Sequence, residues 1–357
     1  MSKRYDLAVV IGRFQPPHNG HINLISTAFK LADRVLVVIG SADIARNIKN
    51  PFTVDERMMM LNMCFAKEVS EGKMDIAVVR DNLYNDQLWV QKIQKAVDDV
   101  ITDNEHPWPK DRLFETAKVV LVGHTKEDTS YLNMFRAWDY HEVENEVDIT
   151  ATEIRKEFFG NHLDLAENDY ADLMPQSIIT WLSKWKKENP EIFDQLHREW
   201  VFINDYKMQW SRAPFQPVFT TTDAVVICSG HILLVKRRHE PGKGLWALPG
   251  GFLGNNEFIK DSMLRELKEE TRIKVDDKTI LASIKAERVF DAPSRSERGR
   301  TITHAFLINL GWGPLPRVRG SDDAERAKWF PLNRFFSDMG DQMYEDHYDI
   351  ATTLITS

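Results

Sequence analysis

VVIGRFQPPHNGH, residues Val9 to His21, runs from the end of an apolar strand into a Gly/Pro turn and two histidines. The apolar run Leu7–Gly12 predicts a buried strand, Ile22–Leu31 a helix and Arg34–Gly40 (RVLVVIG) the next strand, so the turn falls inside a βαβ unit with a parallel sheet. Such a turn lies at the carboxyl end of a strand, where open α/β sheets place their ligands. A helix starting there presents free N–H groups and the positive end of its dipole, which favour an anion. His18 and His21 are three residues apart and share a helix face, and Arg13 adds a planar cation suited to phosphate. Gly12 and Gly20 allow close backbone approach, and Pro16-Pro17 stiffens the turn. Either histidine alone reads as readily as a cap or surface residue as it does as a phosphate ligand. The string as a whole reads as a phosphate cradle.

The alternation continues downstream. Thr53 and Glu56 in FTVDER have the pattern of a capping box opening a helix through Met58–Met63. Asp75–Val79, Gln87–Val100, Lys118–Val122 and Tyr140–Val147 read as strand, helix, strand and strand, so the first half is expected to be doubly wound α/β. GRFQPPHNGH resembles the G-x-F-x-P-x-H-x-G-H signature of the nucleotidyltransferase superfamily. ITATEIR (149–155) resembles that superfamily's second signature, I-S-x-T-x-I-R, with Thr150 keeping the hydroxyl of the usual serine. The resemblance implies a Rossmann-like fold with a parallel sheet and adenylyl or cytidylyl transfer. It implies that Gly12, Arg13, Phe14, Gln15, His18, His21, Thr150, Thr152 and Arg155 bind nucleotide, with His18, His21 and Arg155 catalytic at the phosphates and His21 nearest the reacting centre. Arg46, NPFTVDER with Arg57, and NDQLW (85–89) are similar to the archaeal-type nicotinamide mononucleotide (NMN) adenylyltransferases. In that family the tryptophan matching Trp89 stacks on the nicotinamide ring, a cation on an indole face, so Arg46 and Trp89 join the expected nucleotide site. Without the resemblance, a tryptophan at a helix start reads as core.

A chain of 357 residues exceeds the roughly 250–300 over which a single core grows, so two domains are expected. A net charge of -8 argues against general binding to nucleic acid or to anionic membranes, and anionic substrates have to be met by placed residues. Cys64 and Cys228 are the only cysteines, which excludes a disulfide framework and a cysteine zinc site and points to a cytoplasmic protein. No apolar run approaches the roughly 18 residues of a membrane span. The short run Leu7–Gly12 is followed by no signal-peptide cleavage site.

The stretch 175–213, with Trp181, Trp185, Trp200 and Trp210, reads as two helices split at Asn189-Pro190, a packed connector between a first domain at 1–174 and a second at 214–357. Val218–Cys228 and Ile232–Arg237 read as a hairpin turning at Ser229-Gly230. In FLGNNEFIKDSMLRELKEETRI, Glu266, Glu269 and Glu270 stand at i, i+3 and i+4 on one helix face, opposite Ile259, Met263, Leu264 and Leu267. Like charges so placed repel, and a hard divalent cation reverses that; a solvated glutamate face is the plain alternative. From Gly251 the residues run G-x5-E-x7-R-E-L-x-E-E, which resembles the Nudix box of hydrolases that cleave nucleoside diphosphates linked to another moiety. The resemblance implies an α+β Nudix domain in which Glu266, Glu269 and Glu270, with Glu257, hold Mg²⁺ or Mn²⁺. In it Arg265 orients a glutamate, a metal-activated water attacks phosphorus, and Arg265 and Glu269 are the catalytic residues expected. The family's glycine after E-E-x is Arg272 here, at a helix end where φ > 0 is often required. Residues 289–306 and 321–332 look like segments of ADP-ribose pyrophosphatases; Arg295, Arg298 and Arg300 read equally as diphosphate ligands or as a solvated hairpin tip.

The order of the two modules resembles the bifunctional NMN adenylyltransferase/Nudix hydrolase proteins. The resemblance implies that ATP and NMN give NAD and pyrophosphate, and that ADP-ribose is hydrolysed to AMP and ribose 5-phosphate. The alternatives are a different phosphorylated acceptor, or a Nudix half that senses ADP-ribose without cutting it. The sequence leaves the oligomeric state open, a homo-oligomer included.

Overall fold

The computed structural model describes residues 5–102, 117–124, 130–144, 150–160, 171–321 and 324–356. The chain divides into two compact units, Met1–Leu196 and His197–Ser357, each with its own sheet. Among the described residues no helix is long and apolar enough to cross a membrane.

The first unit contains β1 (Tyr5–Gly12), α1 (Asn19–Leu31), β2 (Ala32–Ile39), α2 (Val54–Cys64), α3 (Ala66–Ser70), β3 (Met74–Val78) and α4 (Asp86–Thr102). These are followed by β4 (Val119–Gly123), β5 (Asp139–Glu142), α5 (Ala151–Arg155), α6 (Gln176–Glu188) and the start of α7 (Pro190–Trp210). All five strands are parallel, in the order β3-β2-β1-β4-β5. β1 is buried from Tyr5 to Val10 because helices cover both faces, which is why its sequence is a continuous apolar run without alternation. On one face Ala8, Val10, Val35 and Val37 pack with Leu24, Ile25 and Ala28 of α1. On the other, Leu7, Val9, Leu36 and Val38 pack with Val90, Ile93 and Val97 of α4. The strand order reverses at β1, so the carboxyl ends of β1 and β4 flank the crevice where such sheets bind ligands.

Helix α1 begins at Asn19 and not at Ile22, because its first turn is polar and capped by His18, which hydrophobic periodicity does not register. Thr53 and Glu56 form the expected capping box of α2. The strand expected at Tyr140–Val147 is β5; residues 145–147 lie outside the described residues, as do Ile149, Asp322 and Asp323. Trp181 and Trp185 of α6 pack around Phe52 with Met60, Ile154, Phe159 and Phe193, so these connector tryptophans are core.

The second unit contains β6 (Phe219–Cys228), β7 (His231–Arg237), β8 (Trp246–Ala247), β9 (Gly250–Phe252), α8 (Ile259–Thr271), β10 (Ile284–Phe290), β11 (Thr301–Asn309) and β12 (Ala324–Pro331). The sheet order is β10-β11-β6-β7-β12, with β8 on β7 and β9 on β6; β11 and β6 are parallel and the other pairs antiparallel. Met263 and Leu267 of α8 pack on Ala224, Val226, Leu233 and Phe306. Pairing of β9 with β6 sets Gly251 opposite Thr222 and Gly250 opposite Asp223. Helix α8 ends on Arg272, which takes φ 46° and ψ 34° and donates its N–H to the Lys268 carbonyl at 2.8 Å. The arginine thus adopts the left-handed conformation that the family's glycine would supply. The first unit is Rossmann-like α/β and the second α+β, the two classes expected.

Candidate active sites

At the end of β1 the backbone turns through Phe14, at φ 53°, and folds its ring back over Gly12, where a Cβ would lie 2.8 Å from the ring. The close approach that Gly12 permits is therefore made by Phe14. The buried Phe14 ring stands 5.0 Å from that of His21. His18 caps α1, its Nδ1 accepting from the Gly20 N–H at 3.2 Å, while the His18 N–H donates to Nδ1 of His21 at 3.3 Å. With both Nδ1 atoms accepting, the proton of each neutral ring resides on Nε2. The two rings lie 3.9 Å apart, so the cap sets two imidazoles side by side at the first turn of α1.

Tertiary bonds hold this turn. The Gln15 side chain pairs with the backbone N–H and carbonyl of Phe52, both at 2.9 Å. Arg57 donates to the carbonyls of Arg13 at 3.0 Å, Gly40 at 2.7 Å and Ser41 at 3.1 Å, joining the ends of β1 and β2; burial lowers its pKa to about 10, which leaves it charged. Arg155 is buried and donates to the carbonyls of Gln15 at 2.8 Å and Ile48 at 3.0 Å and to Thr152 Oγ1 at 3.0 Å. Thr150 caps α5 in a reciprocal box with Glu153. The two signatures expected to meet are joined by the Arg155–Gln15 bond, and the guanidinium serves the backbone of the turn. Arg46 is paired with Glu56 at 2.7 and 2.9 Å, and the Trp185 indole N–H donates to the same carboxylate at 2.6 Å. Trp89 rises from the opposite face of the sheet to α1 and packs edge-on against Tyr131 and Phe135, at 5.9 and 5.8 Å.

In the second unit a cavity of about 350 Å³ is lined by Glu266 and Glu270 together with Asp223, Arg237 and Tyr344. Glu270 accepts from the Gly250 N–H at 3.0 Å; burial pushes its carboxyl up to about 8 against that bond, and the Glu266 charge adds to the rise. The Glu266 carboxylate occupies the space that a Cβ on Gly251 would take, 2.5 Å away. Arg265 bonds Glu257 at 2.7 and 2.9 Å, Glu266 at 2.8 Å and Glu269 at 3.0 Å. Two of the four expected metal-binding carboxylates thus reach the cavity. Glu269, its side chain 48% exposed, and Glu257 turn to Arg265, whose place one helical turn before Glu269 supplies the nearer countercharge. Among the described residues no group of three or more His, Cys, Asp or Glu side chains is arranged to hold a metal. Glu266 and Glu270 nonetheless fit a divalent cation: two hard oxygen donors face one cavity, and a cation offsets both the desolvation of the Glu270 carboxylate and its repulsion by Glu266.

Of the three arginines of the 289–306 segment, two line the cavity. Arg295 is buried in a two-bond pair with Asp346 at 2.8 and 2.9 Å and lines the cavity, so it is not a solvated hairpin tip. Arg300 donates to the Asp291 carbonyl, and Arg298 lines the cavity. Asp223 and His347, which sequence reasoning missed, also line the cavity. Asp223 accepts from Thr303 Oγ1 at 2.5 Å, and its carboxyl is pushed up by burial; a carboxylate inside the apolar run of β6 was a visible signal. His347 accepts from the Leu248 N–H at 3.0 Å and carries no sequence signal.

Residues 9–157 match the cytidylyltransferase-like family and residues 218–353 the NUDIX domain. A crystal structure from Francisella tularensis, of a bifunctional NMN adenylyltransferase/ADP ribose pyrophosphatase complexed with AMP and a manganese ion, is 35% identical, covers 99% of both chains and superposes with a TM-score of 0.86. The chain belongs to this bifunctional family. Separate relatives of each half agree with that membership. The nicotinamide/nicotinic acid mononucleotide adenylyltransferase of Acinetobacter baylyi is 31% identical over 200 residues, 55% of this chain and 94% of that protein. The ADP-ribose pyrophosphatase of Methanocaldococcus jannaschii is 36% identical over 111 residues, 31% of this chain and 60% of that protein.

Proposed function

We propose that the first unit joins ATP and NMN into NAD and pyrophosphate, and that the second hydrolyses ADP-ribose to AMP and ribose 5-phosphate with Mg²⁺ or Mn²⁺. The observation that carries both activities is the likeness, over 99% of each chain, to a protein with that pair of functions. Both cysteines are free, in keeping with the cytoplasm, where we place the protein.

In the first reaction the NMN phosphate attacks the α-phosphorus of ATP and pyrophosphate leaves, so positioning and charge neutralisation carry the step without a protein nucleophile. His18 and His21 offer Nε2–H donors at the N-terminus of α1, where the helix dipole adds positive potential. Arg13 contributes a guanidinium at the turn, while Arg57 and Arg155 hold the turn's carbonyls and so fix the donors in place. Trp89 is the assigned stacking surface for the nicotinamide ring.

In the second reaction Glu266 and Glu270 are the assigned metal ligands. A divalent cation bound there supplies Lewis acidity and a water of lowered pKa. Arg265 bridges Glu257, Glu266 and Glu269, so Glu257 and Glu269 act by holding Arg265, and Arg265 by orienting Glu266.

Incubation of the purified protein with ATP and a panel of phosphorylated acceptors tests the first assignment. NAD and pyrophosphate should appear in equal amounts with NMN; adenylylation of another acceptor in its place overturns the assignment. With ADP-ribose and Mg²⁺, AMP should be released. Tight binding with no AMP formed makes the second unit a sensor.

A further inference from the structure

We propose that Phe202 and Tyr206, on the later turns of α7, form the base-binding wall of the second unit's cavity, so that the helix preceding the Nudix fold selects the nucleoside end of the substrate. This rests on the hydrolase reading above. Both side chains line the cavity that Glu266 and Glu270 line. They stand at i and i+4 on one helix face, with ring planes 20° apart and centroids 6.5 Å apart. Tyr206 is backed by Phe219 at 5.6 Å, and Phe219 by Trp210 at 5.4 Å and Phe252 at 5.9 Å, which fixes the pair against the sheet. A ring serving only as core is covered, yet Phe202 is 39% exposed.

The Arg298 guanidinium lies 5.0 Å over the Phe252 ring in the same cavity, and its buried Nε has no hydrogen-bond partner among the described residues. A buried N–H without an acceptor is costly, and a polar ligand supplies the acceptor. The cavity therefore offers two kinds of chemistry: carboxylates suited to a phosphoanhydride, and flat π faces with a guanidinium donor. Phe252 directly follows Gly251, whose missing Cβ seats Glu266, so β9 joins the two. A nucleoside diphosphate joined to a sugar has that division, with the base as the flat end. Base–aromatic stacking supplies affinity without requiring a particular hydrogen-bond pattern.

The test is steady-state hydrolysis by the intact chain of ADP-ribose and of 5′,5′-diribosyl diphosphate, which is ADP-ribose without its adenine. Phe202→Ala combined with Tyr206→Ala should raise KM for ADP-ribose about tenfold, with kcat changed by less than about threefold. The same double variant should leave kcat/KM for the base-free compound unchanged, and Tyr206→Phe should retain the wild-type KM. An unchanged KM for ADP-ribose, or equal losses on both substrates, overturns the proposal. Should the wild type cut no ADP-ribose, the functional reading fails while photolabelling with 8-azido-AMP still decides the subsite. Label on the peptide carrying Phe202 and Tyr206 supports it; label confined to other peptides overturns it.

Discussion

His18 occupies an N-cap position that Ser, Thr, Asp or Asn usually fills. A carboxylate there would repel a phosphate, whereas the imidazole caps the helix through Nδ1 and keeps an N–H on its other nitrogen. His21, held by the His18 backbone N–H, duplicates the arrangement, so His21→Ala should lower kcat for NAD formation about 100-fold and change the KM values for ATP and NMN far less. Steady-state kinetics check this; a large rise in KM with kcat retained would make the ring a ground-state ligand only. His347 bears on stability. Burial lowers its pKa from 6.5 to about 3, with Asp346 opposing and Arg295, Arg237 and Arg298 assisting. Between those values the unfolded chain takes up a proton that the folded chain refuses, so this contribution to stability is present above 6.5 and is lost as pH falls toward 3. Tm should therefore drop more steeply from pH 7 to pH 5 in the wild type than in His347→Asn, whose Oδ1 replaces the acceptor for Leu248; parallel Tm–pH curves would place the titration elsewhere. Arg46 and Arg155 were legible as site residues, but their contacts within the fold were not. Whether a guanidinium serves a ligand or the backbone depends on which carbonyls and carboxylates distant segments bring to it, here Gln15, Ile48 and Glu56.

Helix ends were read unequally. The box Thr53–Glu56 follows from local hydrogen bonding within four residues, and α2 begins where that spacing says it must; the box Thr150–Glu153 that opens α5 has the same spacing and was not read from the sequence. At α1 a cap was one reading of His18, whereas hydrophobic periodicity placed the helix start three residues late, at Ile22. Arg272 shows the opposite case, a helix that stops where its family stops although the residue usual there is absent. A non-glycine residue in the left-handed region carries about 1–2 kcal/mol of steric cost, and the N–H bond to Lys268 together with the packed α8 imposes the conformation. Arg272→Gly should therefore stabilise the second unit by about 1 kcal/mol, raising its Tm by roughly 2–4 °C. Differential scanning calorimetry reads this directly, and a lower Tm would show that the arginine side chain contributes more than the strain costs.

Two units with separate sheets, each carrying its own candidate site, should fail separately. Glu270→Gln should abolish AMP release while NAD formation stays within about twofold, and His21→Ala should lower NAD formation about 100-fold while AMP release stays within about twofold, since each site is built from the residues of one unit. Assaying both reactions on each preparation tests it; loss of both activities in either variant would mean that the sites are coupled. The amino-acid sequence alone determined the two modules, their order and their fold classes, because a strand–turn–helix signature and a Nudix box are local patterns whose geometry follows from backbone periodicity. Tertiary structure decided which groups act together. It set Trp89 on the face opposite α1, divided four glutamates between a cavity and Arg265, buried Arg295 against Asp346, and carried Phe202 and Tyr206 of a connecting helix into the second unit's pocket. Periodicity fixes where a side chain points within its own element, but burial and countercharge come from segments far away in the chain, and these determine what each group does.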